Sequence, residues 1–187
     1  MSLRSLHDEC PNCVRRPPAF HRARAAALYL PATAGLNALA VAVHALKYRR
    51  RRRVATALGS LLAARYPYDP DALLVPVPLH VERLRSRGYN QALLLARTLG
   101  RSRGLEVAAR TLVRVRDTHM QPGLSAAARR RNLRGAFAVR ESATIAGRHV
   151  VLVDDVLTTG ATADACAFTL RAAGAARVDV FTAGRAP

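Results

Sequence analysis

Apolar residues fall along this chain in short runs that alternate with stretches of helical spacing, separated by proline, glycine and arginine. Residues 25–30 form an apolar run of strand length, and residues 34–48 follow with helical spacing. Residues 49–53 are a basic run at the end of that helix. Residues 54–65 predict a second helix, with Leu58, Leu61 and Leu62 on one side, and the stretch 66–70, with two prolines, breaks it.

The pattern then changes. Residues 72–77, apolar and bounded by prolines, read as a buried strand. A polar turn over 79–90 leads into a helix from Gln91 to about Arg103, closed by Gly104. Residues 107–115 favour a strand. Residues 116–134 are a polar, arginine-rich connection, of a length that marks a functional or disordered loop. Strands are predicted at 136–139, 150–153 and 177–182, with a helix over 161–173 that Gly174 ends. Strands alternating with helices predict an α/β fold with a doubly wound, mainly parallel sheet over residues 25–187, preceded by a leader at 1–24. Ligands of such sheets sit beyond the carboxyl ends of the strands, so the segments after Val77 and Val153 are where chemistry is expected.

Composition narrows the setting. The chain has 187 residues, half of them apolar, which suits one compact domain. Three cysteines and no secretory leader point to a reducing, cytoplasmic compartment. Residues 25–46 carry no acid, lysine or arginine and approach the length of a bilayer span. Pro31, Gly35, Asn37 and His44 interrupt them, so they read as core, with no membrane insertion. The net charge is +18, and of 30 basic residues only Lys47 is lysine. Arginine bias from a GC-rich genome accounts for this; so does attraction to a phosphate ligand or a nucleic acid, and charge alone does not choose.

The most informative segment is Val150-Val-Leu-Val-Asp-Asp-Val-Leu-Thr-Thr-Gly-Ala-Thr162. An apolar strand runs into two acids, then a small hydroxyl-rich turn, then a helix. Thr158, Thr159, Gly160, Ala161 and Thr162 suit a phosphate cradle, with hydroxyl donors, a glycine for close approach and the free N–H groups of a helix start. Two carboxylates beside an anion site would repel it. They make sense if Asp154 and Asp155 accept hydrogen bonds from vicinal sugar hydroxyls, or face a divalent cation bound to the same ligand. An aspartate cap on a solvated turn explains one acid and Thr162, but not the whole order. A second constellation, Val75-Pro-Val-Pro-Leu-His80 with Arg83, Arg85 and Arg87-Gly-Tyr-Asn-Gln91, also follows a strand. Arg87 offers charge and Gly88 room for a diphosphate; a basic surface turn before a helix fits equally well.

The acidic segment resembles the phosphoribosyl diphosphate (PRPP) signature of type I phosphoribosyltransferases. With the second constellation, Leu46-Lys47-Tyr48, Thr118, Gln121, Leu124, Arg129, Asn132 and Gly135-Ala136-Phe137, the chain resembles the ComF/GntX family of phosphoribosyltransferase-like proteins from about Tyr29 to Arg185. The resemblance implies that Asp154 and Asp155 bind ribose hydroxyls and that the loop Thr158 to Thr162 holds the 5-phosphate. It implies a pyrophosphate-side loop over 79–91 with Arg87 and Gly88, and Mg2+ arriving with PRPP. Residues 116–134 would be the mobile hood, its arginines, Arg129 and Arg130 with Arg131, neutralising the leaving group or lining a solvated helix face. No residue identifies itself as a general base.

Cys10 and Cys13 are spaced as half of a zinc site, which the family often completes near its N-terminus. Only His7 and His21 are at hand to complete it, at poor spacing, and two free thiols fit better. Cys166 reads as a small core residue. The basic run 49–53 has no interleaved aromatic residue and reads as a solvated helix end rather than a base-stacking surface. Three functions stay open: a phosphoribosyltransferase, a non-catalytic DNA-uptake component working with single-stranded DNA and uptake proteins, and a PRPP-sensing regulator. The acceptor is not legible, and self-association is left open.

Overall fold

Strand β5 shows why the sheet forms where it does. Its residues Val150 to Val153 are all fully buried, and their alternation feeds two separate cores. Val150 and Leu152 join Leu73, Val75 and the helix residues Cys166, Ala167 and Leu170 on one face. Val151 and Val153 join Leu74, Leu95, Ala96 and Leu99 on the other. A strand apolar on both faces must be covered on both, which is the condition for a parallel sheet sandwiched by helices.

A computed structural model of the chain describes residues 11–30, 37–118 and 126–186, without the side chains of residues 11, 12, 126, 127, 129 and 130. Its elements are α1 (Pro11–Arg15), β1 (Arg22–Leu28), α2 (Ala38–Tyr48), α3 (Val54–Arg65), β2 (Leu73–Pro76), α4 (Val81–Arg87), α5 (Gln91–Arg103), β3 (Leu112–Arg114), α6 (Ala126–Leu133), β4 (Phe137–Val139), β5 (His149–Leu157), α7 (Ala161–Ala172) and β6 (Arg177–Arg185). The four-stranded sheet runs β1-β6-β5-β2, with every neighbouring pair parallel. Helix α7 covers one face, and α2, α3 and α5 the other. The expected doubly wound, mainly parallel α/β architecture is present. Among the described residues, no helix is long and apolar enough to cross a membrane.

Several elements differ from expectation. Strand β1 opens at Arg22, not at residue 25, because an edge strand tolerates arginines on its open side: Arg22 is exposed while Ala26 is buried. Helix α2 starts at Ala38, where the Asn37 side chain accepts the Ala40 N–H at 2.9 Å. The basic run is the turn between α2 and α3, with Arg50 at φ +52°. The polar stretch 79–90 contains helix α4, closed by Gly88 in the left-handed region. It buries no side chain, so it leaves no apolar period to read. The strand expected over 107–115 shrinks to β3, which pairs antiparallel with β4 in a separate ribbon, while Val107 makes a single parallel bridge to Leu74. The connection 116–134 carries helix α6, and its residues 119–125 lie outside the described set. Strands β5 and β6 both run past their apolar stretches, to Leu157 and Arg185.

Helices α3 and α5 cross at Gly59, where a Cβ would stand 2.4 Å from Thr98 Cβ. The contact leaves no room for a methyl group. Gly59→Ala is therefore expected to destabilise the fold by about 1–3 kcal/mol through overpacking, despite alanine's better helix propensity. Chemical denaturation of both proteins measures the difference, and an unchanged midpoint would refute the close crossing.

Candidate functional site

Pro76 is the last residue of β2 in register with β5, opposite Val153. The Val77 N–H still reaches the Val153 carbonyl at 2.9 Å, and there the two chains part. Among the described residues strand β5 continues alongside β6 only, with Asp154 opposite Thr182 and Leu157 opposite Arg185. The acids therefore project from strand, not from a turn, at the crevice where the chain's progress across the sheet reverses. That is the position at which parallel α/β sheets hold ligands.

Asp155 is 2% exposed and forms an ion pair with Lys47 Nζ at 3.0 Å through Oδ1. Its own Oδ1 also accepts the Val156 N–H at 2.8 Å. Its other oxygen, Oδ2, is buried with no hydrogen-bond partner. A buried carboxylate oxygen left bare costs about 1–3 kcal/mol or more, so this one is poised for a donor from outside the protein. Asp154 is half-buried, and its Oδ1 accepts the Asp155 N–H at 2.8 Å. Burial, then the charge of Asp155, push its carboxyl up to about 8, against the opposing pull of Lys47. The pair thus sets a carboxyl that holds its proton more readily than an ordinary aspartate beside the bare Oδ2 of Asp155. Burial pulls the Lys47 ammonium down, but Asp155 and Asp154 outweigh it and hold it above its ordinary value.

The loop beyond β5 is open. Thr158 and Thr159 are exposed, Gly160 and Thr162 half-buried, and Ala161 buried. Thr159 Oγ1 lies 3.5 Å from the Ala161 N–H. Gly160 takes φ +74° at the start of α7, a conformation that costs a side chain dearly. The Ala19 N–H donates to Asp164 Oδ1 at 2.7 Å, and Phe20 packs within 3.9 Å of the Gly160 Cβ position, so residues 19 and 20 brace this loop from the side. Cys166 is fully buried in α7, as expected for a core residue, and burial followed by the charge of Asp154 pushes its thiol up.

The arginine constellation meets the acids through α2. Lys47, Tyr48, Arg50, Arg83, Ser86 and Arg87 line a cleft of about 540 Å³. Arg87 donates to Gln91 Oε1 at 2.6 Å and lies over the Tyr48 ring, 5.9 Å from its centroid. Arg50 donates to the Ser86 carbonyl at 2.8 Å, Arg52 stacks over Tyr89 at 5.2 Å, and the Tyr89 hydroxyl donates to the Leu46 carbonyl. The basic run is exposed throughout, as a solvated helix end is, and Arg50 and Arg52 also tie it to α4 and its exit. Gly88 does not join Arg87 in this cleft. It lines a second hollow of about 410 Å³ with Leu84, Leu93 and Arg97.

Of the hood candidates, Arg129 and Arg130 sit on α6 with side chains outside the described set, and Arg131 is exposed. Cys10 also lies outside the described residues, while Cys13, in α1, is half-buried. Sequence reasoning placed Lys47 only as part of a resemblance and gave it no role. The signal was there: it is the sole lysine in a chain whose other cations are arginine.

The raised Asp154 carboxyl makes stability pH-dependent. In the unfolded chain it titrates near about 4, in the native site at about 8. Between those values the native state holds the extra proton, so this group's contribution to stability falls as pH rises through the window. Asp154→Asn is expected to raise the melting temperature more at pH 8 than at pH 5. Thermal melts at the two pH values check it, and an equal shift at both would contradict the buried, protonated carboxyl.

No family model matches the chain. It is 37% identical over 183 residues to the DNA utilization protein YhgH of Escherichia coli K12, covering 94% of this chain and 77% of that protein. The YhgH protein of Salmonella typhimurium is 39% identical over 180 residues, covering 92% and 75%. Competence protein F of Haemophilus influenzae is 32% identical over 193 residues, covering 98% and 81%. Among solved structures, the glutamine PRPP amidotransferase of B. subtilis complexed with ADP and GMP aligns over 67% of this chain and 25% of its own, with 23% identity and a TM-score of 0.46. With identities above 30% sustained over most of both partners, the chain belongs to the ComF family of competence and DNA-utilization proteins.

Proposed function

We propose that the crevice between β2 and β5 binds phosphoribosyl diphosphate and that the protein transfers its phosphoribosyl group to an acceptor. The observation that carries this reading is the bare, buried Oδ2 of Asp155 beside Asp154, directly ahead of a threonine-glycine loop at a helix start. Asp154 and Asp155 would take the ribose hydroxyls. Thr158 to Thr162, with the free N–H groups of α7, would take the 5-phosphate. Lys47 and Arg87, which line one cleft, would face the diphosphate. In the transfer, the bond from C1 to the diphosphate oxygen breaks with its electron pair leaving on pyrophosphate. A lone pair of the acceptor forms the new bond at C1, with inversion. Helix α6, which carries Arg129 and Arg130, packs against α7, so those arginines are the candidates for closing over the leaving group and excluding water.

Mg2+ fits as the companion of the ligand, because the acid pair offers an unsatisfied hard oxygen donor. When bound, it would neutralise the diphosphate and ease its departure.

Calorimetric titration with PRPP and MgCl2 tests the site. Saturable binding to the wild type is expected, weakened about tenfold or more when Asp154 and Asp155 are both replaced by Asn, since charged hydrogen bonds are lost. No binding to the wild type would sink the proposal. Pyrophosphate release across a panel of nitrogenous bases then separates a transferase from a PRPP sensor that binds without turnover.

A second reading rests on the names of the relatives, DNA utilization and competence proteins, together with the +18 charge. In it, the arginine cleft holds single-stranded DNA for uptake partners without chemistry. Affinity for an oligonucleotide should then fall with salt by about 0.7 log units per log unit of salt for each phosphate neutralised, and Arg83→Ala should reduce that slope by about that amount. A flat salt response would count against it.

A further inference from the structure

One cluster lies outside the roles given so far. His80, at the N-cap of α4, makes no capping hydrogen bond with its side chain. Its Nδ1 is shut off from solvent and has no hydrogen-bond partner. The nearest acid oxygen, Asp117 Oδ1, stands 4.0 Å away, too far for a hydrogen bond. Glu82, in the first turn of the same helix, completes the group: one ligand atom from each of His80, Glu82 and Asp117 lies within 4.8 Å of the other two.

We propose that His80, Glu82 and Asp117 form a binding site for a divalent transition-metal ion, joining the start of α4 to the chain leaving β3. An imidazole nitrogen with two carboxylates is a mixed nitrogen and oxygen set, which selects ions such as Mn2+, Co2+ or Zn2+ over Mg2+ or Ca2+. Metal bonds of about 2.0–2.2 Å require donors about 3–4 Å apart. His80 and Asp117 already meet that spacing, and Glu82 is exposed and rotates in without disturbing the core. The site also explains an imidazole nitrogen otherwise buried for no return.

Its place gives the ion a task. His80 lies on the loop that follows β2, and Asp117 lies just beyond β3, where residues 116–134 begin. The metal would fix those two segments to each other where the chain leaves β2 and β3. It is distinct from any Mg2+ that arrives with a phosphorylated ligand.

The test uses the full chain carrying Cys10→Ser and Cys13→Ser, so that thiolates cannot supply the signal, and no phosphoribosyl compound. Titration with Co2+ is expected to give saturable visible d–d absorption at one equivalent, and to raise the melting temperature. Glu82→Gln, which alters only an exposed side chain, and Asp117→Asn should each weaken Co2+ binding by about tenfold or more, and His80→Ala should abolish it. Mg2+ at equal concentration should not displace Co2+. Absence of saturable absorption would overturn the proposal and leave His80 as a partner for Asp117 alone. Binding that is indifferent to all three substitutions would overturn it equally. Because no sugar phosphate is present, the result stands whatever becomes of the PRPP reading.

Discussion

The unequal lengths of neighbouring strands govern this protein. Strand β2 stops at Pro76, opposite Val153, whereas β5 runs on to Leu157 with β6 as its only partner among the described residues. Proline ends a ladder readily because it offers no N–H. What β5 gains beyond that point is a stretch of backbone held rigidly on one side and open on the other. The two acids are mounted on it, and the threonine-glycine loop leaves from its end. Had β2 matched β5 in length, the crevice would be filled by strand.

Mounting acids on such a strand has an electrostatic cost, which the rest of the molecule is arranged to offset. Asp155 is almost fully buried, and Lys47 reaches it from the last turn of α2. A lysine suits this task better than arginine: its ammonium is a compact charge on a flexible stem, whereas a guanidinium needs a wider, planar berth. Burial and the charge of Asp155 raise the Asp154 carboxyl, which eases the remaining repulsion. The Tyr89 hydroxyl, bonded to the Leu46 carbonyl, and Arg50, bonded to Ser86, tie the end of α2 to α4 and its exit. The lysine is thereby held by the same segments that carry the arginines.

The sequence was most legible where burial wrote a period into it. The runs at 72–77 and 150–153 gave the sheet, and Asn90, Gly104 and Gly174 marked helix ends where the structure has them. It was least legible where an element buries nothing or where polar residues are buried. Helix α4 has no buried face and looked like a turn. Strand β6 runs on past Thr182, which is fully buried with its hydroxyl bonded to the Gly184 carbonyl, so a polar letter disguised continuing strand. In the candidate site, the order of acids, threonines and glycine marked the turn from β5 into α7, where the structure has it. The cation that balances it did not show, because Lys47 and Asp155 are far apart in the chain and meet only after the sheet forms.

The pairing of β1 with β6 reaches into how the protein is made. Arg22 lies opposite Asp179 and Leu28 opposite Arg185, so among the described residues the first strand finds its neighbour only in the last. During synthesis on the ribosome β1 has no partner to dock on until β6 emerges, and the sheet's assembly waits on its most distant contact. The same delay falls on residues 19 and 20, which brace the loop after β5. The brace on that loop thus forms late, leaving an alanine-rich strand edge in need of shelter until then.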